Sequence, residues 1–298
     1  MEYDQLFKNL LKTFFKQFIE LFFPEVAPRL DWLEIEFLQQ EKFTDIPAGE
    51  SRIVDVVAKI ATREGEPELI LVHVDVEHPW RSTFPYRMFE YYALLRLRHR
   101  LPVFPIAILP ERKIKGFEPE TYSEGLFGHE FLSFNYFHIG LKGVLVNDYW
   151  DDDNPISWGF ASLMDSGERE RALLLIECYC RVRDSSLNEA EKSLLLNFIV
   201  TCFQLTPDEE ADFQRLLKRE EHREVREMRE TYFDKLKRQG AVEAMQNMLS
   251  KQLQAKFGSL PQEIVDRVRK IESEDELQKI AEKFVTASSL VELGLDKV

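Results

Sequence analysis

One segment constrains the chain more than any other: residues 68–77, ELILVHVDVE. Its first half is apolar at nearly every position, so both faces need cover, as in a strand inside a sheet rather than at its rim. Its second half alternates. On an extended strand, residues two apart face the same way, which gives His73, Asp75 and Glu77 one face and Val72, Val74 and Val76 the other. Two carboxylates and an imidazole thus share one face at the end of an apolar strand.

Residues 32–38, 53–61 and 103–109 also have strand composition. Between the last of these and ELILVHVDVE lies TFPYRMFEYYALLRLRH, a helical pattern with Phe84 and Pro85 at its start and Pro102 after its end. Strand, helix and strand at this spacing predict a right-handed parallel crossover in an α/β core. A further strand pair, 130–137 and 143–147, is expected to complete the sheet. Ahead of it, Leu6, Phe7, Leu10, Leu11, Phe14, Phe15, Phe18 and Phe22 recur at three- and four-residue spacing, so residues 3–23 read as one amphipathic helix ended by Pro24 and packed on the sheet. Lys8, Lys12, Lys16 and Glu20 interrupt that stripe every turn. No apolar run approaches the roughly 18 residues of a membrane span, so neither a signal peptide nor a membrane anchor is expected.

After the acidic loop DYWDDDNP the texture is helical: 157–164, 168–183, 188–203, then a highly charged stretch, 208–238, closed by Gly240. Within it Leu217, Val225, Met228, Tyr232 and Leu236 form an imperfect apolar seam, which predicts a docked or self-associating helix and hence a homodimer through the helical C-terminal region. A second helical unit, 241–295, contains the turn FGSLPQE, where Ser259 is placed to cap and Pro261 to open the next helix. The expected domains are a core at 1–150, a helical extension at 151–238 and a small helical domain at 239–298.

With 39 Lys and Arg against 53 Asp and Glu, the 298-residue chain carries a formal charge of −14, which disfavours coating nucleic acid through bulk charge. Locally the balance reverses: residues 81–115 hold eight basic side chains (Arg81, Arg87, Arg96, Arg98, Arg100, Arg112, Lys113, Lys115) against Glu90 and Glu111. That patch reads either as a phosphate-binding surface or as the solvated end of a helix. The three cysteines, Cys178, Cys180 and Cys202, sit in apolar helical surroundings. They supply neither a disulfide framework nor a four-ligand zinc site, and a reducing cytoplasm is the expected compartment.

In RIVDVVAKI, Asp55 interrupts a run with the composition of a buried strand, where an ionised carboxylate is costly unless paired or metal-bound. If this strand neighbours ELILVHVDVE, then Asp55, Asp75 and Glu77 form a self-repelling carboxylate cluster that a divalent cation or a bound proton offsets. A hard, oxygen-only donor set favours Mg²⁺ or Mn²⁺ over zinc. Such a metal activates water and neutralises charge on an attacked phosphodiester. The bland alternative leaves Asp55 and Asp75 at strand ends, solvated or paired with Arg52 and Arg87.

The order Asp55, then Asp75 and Glu77 on a hydrophobic strand, then a helix carrying FPYRMFEYY, resembles the PD-(D/E)XK nuclease superfamily. Within it the chain resembles the Rpn group of recombination-promoting nucleases, also described as transposases. The resemblance runs from YDQLFKNLLKTFF through RIVDVVAKI, LILVHVDVE and FPYRMFEYY to PVFPIAIL and NPISWGFASLM. The segment LQAKFGSLPQEIVDRVRKI with ASSLVEL resembles a small helical domain of unknown function often appended to such proteins. The resemblance implies a restriction-endonuclease-like mixed sheet flanked by helices and followed by an all-helical C-terminal region. It makes Asp55 the first metal ligand and Asp75 the second acidic position, where the group usually has Glu. Glu77 stands where the superfamily usually has Lys and the group commonly has Gln, and is assigned to metal ligation or to the general base. Asp4 and Glu41 match acidic positions with auxiliary roles, although Asp4 also reads as a helix N-cap. His73 matches a histidine common before the acidic pair and also reads as a hydrogen-bonded sheet residue. Arg87 matches an Arg-Met pair facing either a phosphate or Asp75.

The expected function is a Mg²⁺- or Mn²⁺-dependent DNA endonuclease with little sequence specificity, acting in recombination or mobile-element biology. Its DNA binding is expected to be weak and salt-sensitive, through Arg87, Arg96, Arg98 and Arg100. A different class of reading is a catalytically decayed fold that acts as a nucleic-acid or protein interaction module. A third is a metal-dependent hydrolase of a non-nucleic phosphate ester.

Overall fold

The structure, a computed structural model, describes residues 2–38, 42–43, 52–53, 56–63, 69–76, 81–110, 119–151 and 153–295, with backbone alone at 2–4, 42–43, 52–53, 69–75 and 235–236. By contacts the chain divides into two compact units, 1–225 and 226–298.

The first unit opens with helices α1 (Glu2–Thr13) and α2 (Phe15–Phe22). The stripe read as one helix is broken at Phe14, whose φ of −116° and ψ of 36° leave the helical region. The two halves have different main helical neighbours, residues 189–202 for α1 and 155–160 for α2, although Phe7 and Phe18 both pack on Phe160. Strands β1 (Leu30–Phe37), β2 (Lys42–Phe43), β3 (Arg52–Ile53), β4 (Val56–Thr62) and β5 (Leu69–Val76) follow. Of the strand expected at 53–61, Ile53 belongs to β3, which pairs with β2, and 56–61 belong to β4 in the main sheet, while 54–55 lie outside the described residues. Helix α3 (Phe84–His99) then leads to β6 (Val103–Ile108), and β7 (Glu120–Leu126) and β8 (His129–Ile139) complete the sheet.

The main sheet has six strands in the order β1-β4-β5-β6-β8-β7. Strands β1, β4 and β5 form an antiparallel meander; α3 then crosses over so that β6 runs parallel to β5, and β8 runs parallel to β6. The apolar run of ELILVHVDVE therefore lies between two neighbours, with helices on both faces. On one face Phe23 meets Phe104 and Phe137 at ring separations of 5.3 and 5.2 Å. On the other, Phe84 and Met88 of α3 pack with Ala107, Leu109, Phe134 and Tyr136, and Tyr91 and Leu95 pack with Val57.

Two expectations about the sheet fail. Residues 143–147 are not a strand: a short 3-10 helix, Leu141–Gly143, is followed by helix α4 (Val146–Tyr149), and only Leu145 makes an isolated bridge, to Asp165. Alternation over five residues is too short to separate a strand from a turn of helix. The actual partner of β8 is β7, ETYSEGL, whose polar composition hides a solvent-facing edge strand.

Helices α5 (Pro155–Phe160) and α7 (Glu189–Cys202) pack on α2 and α1 respectively, α6 (Arg171–Asp184) packs on both α5 and α7, and α8 (Pro207–Leu217) packs on α6. Their starts are chemically marked. Asn154, Asn188 and Thr206 cap α5, α7 and α8, the last two through capping boxes with Glu191 and Glu209. Phe7 packs on Phe198 and Phe160, and Phe18 on Phe160, so this helical layer shares the sheet's core and belongs to the same unit. The break expected at 150/151 thus falls inside the first unit.

Helix α9 (Arg223–Phe257) runs through Gly240, which does not end it. No left-handed backbone is present at Gly240, and a Cβ there would meet open space, so this glycine lowers helix propensity without acting as a cap. Leu217 lies on α8 and Val225 on α9, so the expected seam is shared between two helices. In the second unit, α9 is followed by α10 (Gln262–Arg269) and α11 (Glu274–Thr286) around Leu249, Leu253, Val268, Leu277 and Ile280. Gly258, at φ +82°, ends α9. Pro261, not Ser259, occupies the cap position of α10, with no side-chain cap, because Ser259 stands two residues too early to reach the helix's first amides.

Candidate metal centre

Of the residues expected to hold a metal, Asp55 and Glu77 lie outside the described residues, as does Glu41, and Asp75 and His73 are described by backbone alone. The register around them is nonetheless informative. Val56 pairs with Val74 across β4 and β5. Asp55 directly precedes Val56 in the chain and Asp75 directly follows Val74, and covalent geometry holds successive Cα atoms about 3.8 Å apart. The backbone of Asp75 therefore lies at the end of the sheet where β5 finishes, and Asp55 neighbours the paired Val56 in sequence alone. Glu77 follows Val76, whose partner is Ile108. The backbone of Asp4 lies within the first turn of α1 rather than at its cap.

The register also reveals a pair that the sequence reading missed. Asp75 is opposite Ala107, and Ala107 is opposite His138. At about 4.8 Å per strand, the His138 backbone stands about 10 Å from that of Asp75, in the same row of the sheet. Nδ1 of His138 lies 3.6 Å from Oε2 of Glu120, and the histidine side chain is 12% exposed. The only sequence signal was a histidine near the end of FNYFHI, which has no meaning until β8 is known to run beside β6.

The basic cluster is placed elsewhere. Helix α3 leaves the Asp75 end of the sheet and, at 1.5 Å per residue, spans about 24 Å before β6 begins. Val103 pairs with Leu71, at the start of β5. Arg96 and Arg98, in the last turn of α3, and its C-cap Arg100 are exposed and therefore stand at the opposite end from Asp75. Cations there interact favourably with the helix's carbonyl end. Arg87 is nearer the Asp75 end and half-buried, its guanidinium 4.9 Å from the centre of the Phe84 ring. Arg112, Lys113 and Lys115 lie outside the described residues.

Among the described residues, no group of three or more His, Cys, Asp or Glu side chains could hold a metal ion, and no helix is long and apolar enough to cross a membrane. Burial pushes the Cys178 thiol up to about 12, which makes it unreactive. A cleft of about 640 Å³ between α2 and α4 is lined by Glu20, Glu25, Asp148 and Asp151 beside Phe137 and Tyr149. Four carboxylates without a basic residue repel phosphate, so this cleft is no site for nucleic acid. Comparison with protein-family models, with curated proteins and with solved structures finds no match to this chain.

Proposed function

We propose that the protein is a divalent-metal-dependent DNA endonuclease of the PD-(D/E)XK type, resembling the Rpn group, with little sequence specificity and a role in recombination or mobile-element biology. The observation that carries this reading is the Val56–Val74 pairing of adjacent strands inside a mixed sheet flanked by helices, with Asp55 next to Val56 and Asp75 next to Val74 in the sequence. Asp55, Asp75 and Glu77 offer the hard oxygen donors that suit Mg²⁺ or Mn²⁺. When bound, such an ion supplies an activated water and charge neutralisation at the phosphate. Asp75 is one methylene shorter than the usual Glu, about 1.5 Å of reach, which brings the donor closer to the strand. Glu77, in place of a lysine, accepts a proton from the attacking water. The His138–Glu120 pair stands along the same row, where it can hold or return a proton at the leaving oxygen. Arg87 is the basic residue of α3 placed to meet a phosphate near this end. DNA affinity is weak and falls steeply with added salt.

The deciding experiment is cleavage of plasmid DNA with Mg²⁺ or Mn²⁺ by the wild type and by Asp55→Ala. The reading predicts cleavage that this substitution abolishes; cleavage that survives it refutes the assignment. Glu77 itself favours a second reading, a decayed nuclease fold serving as an interaction module, because it adds negative charge where a lysine would neutralise it. Absence of both metal binding and cleavage, alongside a stable oligomer, would select that reading.

A further inference from the structure

The β7–β8 hairpin turns in two residues, Phe127 and Gly128, between the paired Leu126 and His129. Both turn residues have positive φ, 55° for Phe127 and 79° for Gly128, the geometry of a tight hairpin turn normally filled by Asn-Gly or Gly-Gly. A phenylalanine held there is strained, and its ring is 88% exposed. Leu126 is 58% and Phe131 72% exposed beside it. Phe131 is the extra residue of a bulge, since Glu124 pairs with Leu132 and Gly125 with Glu130. The tip is tightly built: a Cβ on Gly125 would stand 2.8 Å from the carbonyl oxygen of His129. Three apolar side chains thus cluster on a projecting tip, flanked by the carboxylates of Glu124 and Glu130.

Strand β8 is parallel to β6, with Phe137 opposite Ile106. Its first residues therefore run past the start of β6, and the tip projects from the same end of the sheet at which α3 finishes. There Leu97, 76% exposed, is flanked by the exposed Arg96, Arg98 and Arg100. One end of the domain thus carries an apolar tip with an acidic rim next to an apolar spot with a basic rim.

We infer that this end is a self-association surface, on which the hairpin tip of one copy docks against the Leu97 and arginine surface of a second copy of the chain, and reciprocally. Charge complementarity selects the occupant: the acidic rim disfavours a nucleic-acid backbone or an anionic lipid surface at the tip, whereas the basic rim matches it within the same chain. A two-fold interface requires one self-complementary patch, which the pairing of tip and spot supplies. The Asp75 end, on the far side of the sheet, stays open.

The test is the mass of the full chain in solution, by light scattering and sedimentation across concentration. The wild type is expected to form a concentration-dependent dimer. Phe127→Asn, which suits the left-handed backbone and so preserves the hairpin, is expected to raise the dimer dissociation constant about tenfold or more, as for removal of a central aromatic anchor. The double variants Glu124→Lys/Glu130→Lys and Arg96→Glu/Arg98→Glu should each be monomeric alone and should form a mixed dimer when combined, because every tip then meets a rim of opposite sign. A monomeric wild type, a dimer indifferent to Phe127→Asn, or failure of the two variants to pair overturns the inference. So does a wild-type monomer whose DNA binding is lost with Phe127→Asn, which would assign the tip to nucleic acid.

Discussion

At one end of the sheet, where β5 stops at Val76, the chain carries carboxylates into a crowded run of strands. At the other, where α3 runs out at His99 and the β7–β8 hairpin turns, it presents arginines and exposed aromatic side chains. Both groups come from one stretch of about sixty residues, and in the linear sequence the acids and the arginines look like parts of one site. The crossover separates them. A helix that returns the chain to begin a parallel strand must carry its last turn back to the start of the previous one, so residues 75 and 98 face opposite ends of the domain. Proximity along a crossover helix therefore says little about proximity to the strand that precedes it.

The comparison can be broken most severely through the core that both ends share. Phe18 is fully buried among Phe15, Phe22, Phe23 and Phe160, so Phe18→Ala should cost about 3–5 kcal/mol in chemical denaturation. It should weaken cleavage and association together. A loss confined to one end would show that the two do not share that core. Next, Asp75→Asn should lower metal-dependent cleavage by about a hundredfold, equivalent to about 2.7 kcal/mol, while the sedimentation profile stays that of the wild type. Equal loss at both ends would point to misfolding instead. At the opposite end, Phe127→Asn should raise thermal stability by about 0.5–1 kcal/mol through relief of the left-handed backbone, even as dimerisation falls. A gain of comparable size, about 0.5–1 kcal/mol, is expected from Gly240→Ala in helix α9, with neither cleavage nor association altered.

The smallest effect concerns protons. Tyr122 donates to Glu124, and this hydrogen bond to a carboxylate raises the phenol to about 12, with burial adding to the shift. A raised value stabilises the protonated, folded form. Its contribution is complete below the ordinary tyrosine range near 10 and is lost as pH rises through about 12. Glu124→Gln should return the ultraviolet titration of Tyr122 toward the ordinary range, and an unchanged curve would remove Glu124 as the cause.

Strong local chemistry was legible without coordinates. ELILVHVDVE marks an interior strand, 188–203 reads as helix, and TFPYRMFEYYALLRLRH marks the crossover helix. What was not legible depends on partners distant in sequence. β7 is polar because it faces solvent on an edge, so it lacks the apolar run by which a strand is recognised. His138 acquires interest only through its register with Ala107. Gly240 has the composition of a helix stop, but a stop needs a left-handed backbone as well as a glycine, and Gly258 has that backbone instead. At the candidate centre, the residue types were legible from spacing, and the β4–β5 register adds that Val56 stands opposite Val74.

The backbone at Phe127 has a consequence on a longer timescale. Most surface positions drift because no replacement is better than another, but here glycine or asparagine would relax the chain at once. Random change should therefore erase the ring unless something continually restores it. Lineages that keep an aromatic residue at this turn would be those in which two copies still meet, and lineages that have relaxed to glycine would be those that work alone.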